Sequence, residues 1–137
     1  MASEDNVKIA QKAYADFQRG DIAAILAALD ENIEWNTPQS VGMAGSGKKK
    51  GHSQVADFFK GVAEAWTFEA FEPKQFIASG DQVVVLGSYR ARSNTTGRSA
   101  SADWAMAWRF QNGKVTHFQE YTDSAAMNDA LTARASA

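Results

Sequence analysis

Residues 103 to 123 read DWAMAWRFQNGKVTHFQEYTD, and this stretch decides the fold. Two runs with aromatics at alternate positions flank Asn112-Gly113, a strong short signal for a tight β-hairpin. Successive side chains of a strand point to opposite faces. The first run therefore sets Trp104, Met106, Trp108 and Phe110 on one face and Asp103, Ala105, Ala107 and Arg109 on the other. In the second, Phe118, Glu120 and Thr122 fall together, opposite His117, Gln119 and Tyr121. One face is thus a wall of large apolar side chains that carries a single carboxylate, Glu120, a pattern that suits a pocket better than a plain core.

The totals place the rest. A chain of 137 residues fits one domain, spanning 1–137, and one hydrophobic core. The apolar share of 45% and charged share of 22% are ordinary for a soluble globular protein. Net charge is −2, which argues against a nucleic-acid partner, since such binding draws on a cationic face. With no cysteine, disulfides, thiolate catalysis and thiolate-bound metals are excluded. The start, MASEDNVK, is not a secretory signal. No apolar run approaches the ~18 residues of a membrane span. The expected location is cytoplasmic, without a membrane partner. Asn94-Thr95-Thr96 matches a glycosylation sequon but reads as a loop.

Working outward, residues 4–19 form an expected amphipathic helix with Val7, Ala10, Tyr14 and Phe17 at helical spacing. Gly20 ends it, and Asp21 opens a shorter helix carrying Ile22, Ile25, Leu26 and Leu29. Ile33-Glu34-Trp35 begins a strand that Pro38 ends. Residues 39–51 read as a mobile, cationic surface loop with four glycines and Lys48, Lys49 and Lys50, with an anion-binding or lid role as the alternative. Within it, Gly42 to Lys48 resembles a phosphate-binding loop on paper, but Lys49 stands where Ser or Thr must hold magnesium. A third helix is expected from Ser53, as N-cap, to about Ala65, with Val55, Phe58, Phe59 and Val62 inward. His52 before it reads as a solvent or capping residue. Strands follow over 66–78, with a bulge near Glu72-Pro73, and over 83–92. Asp123 is the expected N-cap of a last helix over 124–135.

Two helices, a strand, a third helix and then long strands make an α+β meander. The ordered set Arg19-Gly20-Asp21, Ile33-Glu34-Trp35 with Pro38, Gly51 before Val55 and Phe58-Phe59, Ser79-Gly80-Asp81 before Val83, and Gly113-Lys114-Val115 before Glu120 to Asp123 resembles the nuclear-transport-factor-2-like superfamily. Within it, the chain resembles the SnoaL-like and ketosteroid-isomerase-related proteins. That resemblance implies a cone, a strongly curved mixed sheet wrapped around a long N-terminal helix and enclosing an apolar pocket. It also implies pairing of two copies through the outer sheet face, as a homodimer. In that frame the expected pocket is lined by Phe17, Trp35, Thr37, Phe59, Leu86, Arg90, Trp104, Met106, Trp108 and Phe118. Glu120 is its candidate catalytic residue, with Arg90 projecting inward nearby.

The same frame tests the chemistry. Ketosteroid isomerase uses a carboxylate base and an oxyanion hole of a tyrosine and a protonated carboxylic acid. Those positions fall on Thr37, Ala13 and Met106, which lack that chemistry, so steroid-type isomerisation is disfavoured. Tyr14 is one residue off, about 100° round the helix, and is expected to point elsewhere. No counterpart of the Asp–Arg–Asp set of limonene-epoxide-hydrolase-like members is found. A SnoaL-like cyclase needs one acid/base group, which Glu120 could supply once burial raises its pKa; Arg90 nearby would lower it, and the pair reads equally as a buried structural strut or a ligand anchor. Three readings follow. The first is a cofactor-free isomerase, cyclase or hydratase acting on a small apolar, polyketide-like carbonyl compound. The second is a non-catalytic binder of a small apolar molecule, and the third a dimeric interaction module. No metal site is expected, since His117 lies on the opposite face from Glu120.

Overall fold

The computed structural model describes residues 2–39 and 46–132. In chain order these form α1 (Ala2–Gln18), α2 (Ile22–Ala27), β1 (Leu29–Asn36), β2 (Lys48–Lys50), α3 (Gly51–Ala65), β3 (Trp66–Ser79), β4 (Gln82–Ser93), β5 (Ser99–Gln111), β6 (Lys114–Thr122) and α4 (Ser124–Thr132). Most of the phosphate-loop-like stretch, including Gly42 and Gly45, and the end of the expected last helix lie outside the described residues.

Local chemistry accounts for the joints. Asn112 and Gly113 both take positive φ, 53° and 77°, as a tight hairpin turn requires. Between α1 and α2, Asp16 is the organiser, although nothing in the sequence reading singled it out. Its carboxylate accepts from Lys12 at 2.8 Å and from Arg19, and its carbonyl accepts the Asp21 N–H at 2.8 Å. The Lys12 hydrogen bond, more than any other influence, holds the Asp16 pKa below its ordinary value. Asp21 and Asp123 are N-caps as expected, accepting from the Ala24 and Ala126 amides at 3.1 and 3.0 Å. Helix α3 starts at Gly51, earlier than expected, and Ser53 is not its cap; Lys50 takes that position with extended backbone and no side-chain cap. His52 bonds the Leu29 carbonyl through Nε2 at 2.9 Å and so ties α3 to β1. The sequon residue Asn94 donates to the Ala63 and Glu64 carbonyls, closing the C-terminal end of α3.

The six strands form one curved, unclosed sheet in the order β2-β1-β6-β5-β4-β3. Strand β1 runs parallel to β6 and all other pairs are antiparallel. Register slips between Pro73 and Gln75, as the proline foretold, and also between Phe68 and Ala70 and between Arg109 and Phe110. Such bulges bend a strand and strengthen its twist. The helices pack on the concave face, α1 against β3 and β4, and α3 against β1. Among the described residues no helix is long and apolar enough to cross a membrane.

Two expectations fail here. The lysine run is not all loop, because Lys48–Lys50 is an edge strand paired with Glu34–Asn36 of β1. On β4 the inward set is Val83, Val85, Gly87, Tyr89 and Ala91, so Leu86 and Arg90 face outward, away from the cavity. Arg90 instead pairs with Glu69 at 3.0 Å on the outer face, with its side chain 55% exposed.

Candidate functional site

The concave face and the helices enclose a cavity of about 120 Å³. An apolar cavity of roughly 150 Å³ accommodates benzene, so this one fits about a single ring. Helix α1 contributes Ala13, Tyr14 and Phe17, while β1 contributes Trp35, with Thr37 and Pro38 following it. Helix α3 supplies Phe58, Phe59 and Val62. The sheet supplies Phe68, Phe71, Tyr89, Met106, Trp108, Phe118, Glu120 and Thr122, and Met127 of α4 closes one side.

Eight of the expected residues therefore line the cavity: Phe17, Trp35, Thr37, Phe59, Met106, Trp108, Phe118 and Glu120. Trp104 does not. It sits opposite Gly87 across the β4–β5 ladder, where a Cβ would collide with the indole. A glycine within a strand marks such a close approach. The Trp104 ring stacks on Tyr14 at 5.7 Å and belongs to the wall behind the cavity.

The aromatic lining holds its own shape. Trp35 stacks on Phe118 at 3.8 Å and meets Trp108 edge-on at 5.7 Å. Each such pair contributes about 0.5–1.5 kcal/mol beyond area burial. The Trp35 Nε1 has no hydrogen-bond partner among the described residues, a cost of about 1–3 kcal/mol for a buried donor. Stacking on this scale offsets it.

Glu120 stands among these rings on β6, opposite Met106 of β5. The Tyr89 hydroxyl donates to Glu120 Oε2 at 2.9 Å and also lies 3.1 Å from Thr122 Oγ1. Thr122 in turn donates to the Asp103 carbonyl at 3.1 Å. Burial raises the Glu120 pKa, and the Tyr89 hydrogen bond and the positive charge of Lys49 oppose that rise in part. Burial likewise pushes the Tyr89 phenol far above its ordinary value, so it remains a neutral donor.

Tyr14 reaches the cavity after all. Its neighbour Ala13 and the tyrosine both line the wall. The Trp108 Nε1–H donates to the Tyr14 oxygen at 3.0 Å, and Tyr14 donates to Met106 Sδ at 3.2 Å. Burial raises the Tyr14 pKa as well.

Sequence reasoning missed two polar groups at the cavity wall. Tyr89 takes the place beside Glu120 that Arg90 was expected to fill. Lys49, only 6% exposed, points inward from β2, donates to Thr37 Oγ1 at 2.9 Å and to the Gly47 carbonyl, and lies 4.7 Å from the Phe58 ring centre. Burial lowers its pKa to about 8, against a smaller opposing effect of Glu120. Among the described residues no three His, Asp or Glu side chains gather as a metal site.

Comparison with known proteins follows the same lines. The SnoaL-like domain profile matches residues 10–118. An NTF2-like protein of unknown function from Burkholderia pseudomallei K96243 is 33% identical, with 94% of this chain and 98% of that one covered and a TM-score of 0.86. An NTF2-like protein from Burkholderia xenovorans LB400 is 32% identical over 95% of this chain and 98% of that one, with a TM-score of 0.85. TerC, co-crystallised with polyporic acid, is 29% identical over 93% and 98%, with a TM-score of 0.82. No curated protein matches the sequence significantly.

Proposed function

The chain belongs to the SnoaL-like domain family, and on that premise we propose that it is a cofactor-free enzyme moving a proton on a small, largely apolar carbonyl compound. Isomerase, cyclase and hydratase chemistry all fit that description. The carrying observation is Glu120, a carboxyl group in an aromatic cavity, held by Tyr89 and with its pKa raised by burial. An acid/base group works best when its pKa approaches the working pH, and burial moves a carboxyl that way.

The hydroxyl chain behind Glu120 suits a group that must both give and take a proton. Thr122 spends its hydrogen on the Asp103 carbonyl, so its oxygen accepts. Tyr89 then donates to Glu120 when the carboxylate is ionised. When Glu120 is protonated, it donates to the Tyr89 oxygen, and Tyr89 turns its hydrogen to Thr122. Hydroxyls donate and accept alike, so both states keep their partners. Tyr14 is the matching electrophile in this reading. Its hydrogen rests on a thioether, a weak acceptor. A substrate carbonyl oxygen would displace that contact, and Trp108 donating to the phenol oxygen makes Tyr14 a better donor.

The test is deuterium exchange from solvent into the α-positions of one-ring ketones such as cyclohexanone, followed by NMR. Glu120→Gln is expected to lower the catalysed exchange by about 10²–10⁴-fold while near-ultraviolet circular dichroism is kept. Equal exchange in the variant overturns the proposal. One observation favours a second reading, a non-catalytic binder: Ala13, Thr37 and Met106 occupy the isomerase positions. TerC with polyporic acid supports an organic ligand in either case. Ligand that quenches Trp35 and Trp108 fluorescence and is recovered unchanged, without α-exchange, favours carriage.

A further inference from the structure

The lysine buried at the β2 edge is not used by the proton chemistry above, and its surroundings ask for an anion. Lys49 is almost fully buried, yet among the described residues no carboxylate lies within ion-pair distance of it. Its ammonium is met by neutral acceptors, the Thr37 hydroxyl and the Gly47 carbonyl, and by the face of Phe58. Buried charges are ordinarily paired with an opposite charge. Thr37 and Phe58 both line the cavity, so the ammonium sits directly behind its wall. A threonine oxygen that accepts from an ammonium is left with its own hydrogen to donate. Glu120, the carboxyl across the cavity, makes no ion pair with Lys49, and its charge opposes only in part the lowering of the Lys49 pKa by burial.

We propose that Lys49 and Thr37 form an anion subsite of the cavity, which selects one-ring organic acids, bound through an anionic oxygen, over their neutral counterparts. This rests on the cavity being a ligand site and deepens that reading by naming the ligand class. The Lys49 charge supplies the attraction, and the Thr37 hydroxyl is the hydrogen-bond donor polarised by it. Beside so apolar a lining, such a donor pair is worth more than at the surface. An anion seated there would raise the Lys49 pKa and hold Glu120 protonated, ready to act as the acid.

Apart from those across the cavity, the other charged and titratable groups around Lys49 face elsewhere. Lys48 and Lys50 point to the exposed side of β2. On β1, Glu34 is exposed and lies 3.6 Å from His117. On α3, Asp57, Lys60 and Glu64 border a separate surface groove that Lys48 and Lys49 also touch. Across the cavity stand Glu120 and the phenols of Tyr14 and Tyr89.

Benzoate and benzamide serve as probes, with binding followed by tryptophan fluorescence and by calorimetry. At pH 6.5 the wild-type protein is expected to bind benzoate at least tenfold more tightly than benzamide. That preference should shrink as the pH rises past about 8, the pKa of free Lys49. Lys49→Met should remove the preference, and Thr37→Val should weaken it. Should Lys49→Met not fold, the wild-type pH series and Thr37→Val carry the test. Equal binding of both probes to the wild-type protein overturns the anion subsite and leaves the cavity standing. A benzoate preference that persists in Lys49→Met or is flat between pH 6.5 and 9.5 overturns it as well. Binding of neither probe overturns the cavity as a one-ring ligand site, and this inference with it.

Discussion

The cavity has two polar corners, and they are built on opposite plans. Glu120 stands in mid-sheet on β6, between β5 and β1, and its partners Tyr89 and Thr122 are hydroxyls. Lys49 stands on a three-residue edge strand, and the groups around it serve as acceptors. A hydroxyl reverses its role at little cost, whereas a carbonyl can only accept. The first corner is therefore suited to a group that changes its protonation state, and the second, where the Gly47 carbonyl can only accept, to a cation. Both bury an ionisable group in apolar surroundings, so both should cost stability in the charged form. They differ in the pH range where that cost appears.

Glu120→Gln is expected to stabilise the protein at neutral pH. A carboxyl whose folded pKa is raised contributes most below its unfolded value of 4.5, and that contribution is lost as pH climbs through the folded pKa. The variant should thus match the wild type near pH 4 and exceed it by about 2 kcal/mol at neutral pH, in urea unfolding. Equal stability across that range would mean that the carboxylate is well solvated. Lys49→Met is expected to show the opposite pH trend. Burial disfavours the ammonium, so the variant should be more stable by about 3 kcal/mol at pH 7, the worth of a fall in pKa from 10.5 to about 8. Between the folded pKa near 8 and the unfolded 10.5, the unfolded chain holds a proton that the native protein has released, and wild-type stability rises with pH. The advantage of the variant should fade toward pH 10. A variant that is less stable at pH 7 would make Lys49 a structural strut and erase the contrast between the corners.

The two corners were also unequally legible. Glu120 could be found because it breaks a period-two run of large apolar residues beside an Asn-Gly turn. Lys49 could not, because three identical lysines carry no pattern to show which one turns inward. Strand β4 lies between these cases. Its even positions carry Leu86, Arg90 and Arg92, and two arginines on one parity were the signal that this face looks outward. The odd positions carry Gly87, which makes room for Trp104, and Tyr89, which meets Glu120. The cone itself was legible from the order of the elements and their turn residues. The joint at Asp16 was not, since a carboxylate on a helix surface looks the same in sequence whether it is solvated or holds a turn.

The proposed proton chemistry depends most on Glu120 being a buried acid that can be neutral near its working pH. Carbon-13 NMR of the Glu120 carboxyl, assigned by its absence in Glu120→Gln and followed from pH 3 to 9, measures this directly. The wild-type group is expected to titrate well above 4.5. Tyr89→Phe is expected to move it higher still, since the Tyr89 hydrogen bond favours the ionised form. A Glu120 that titrates at 4.5 or below in the wild type, unmoved by Tyr89→Phe, would contradict the account, and the cavity would lose its acid.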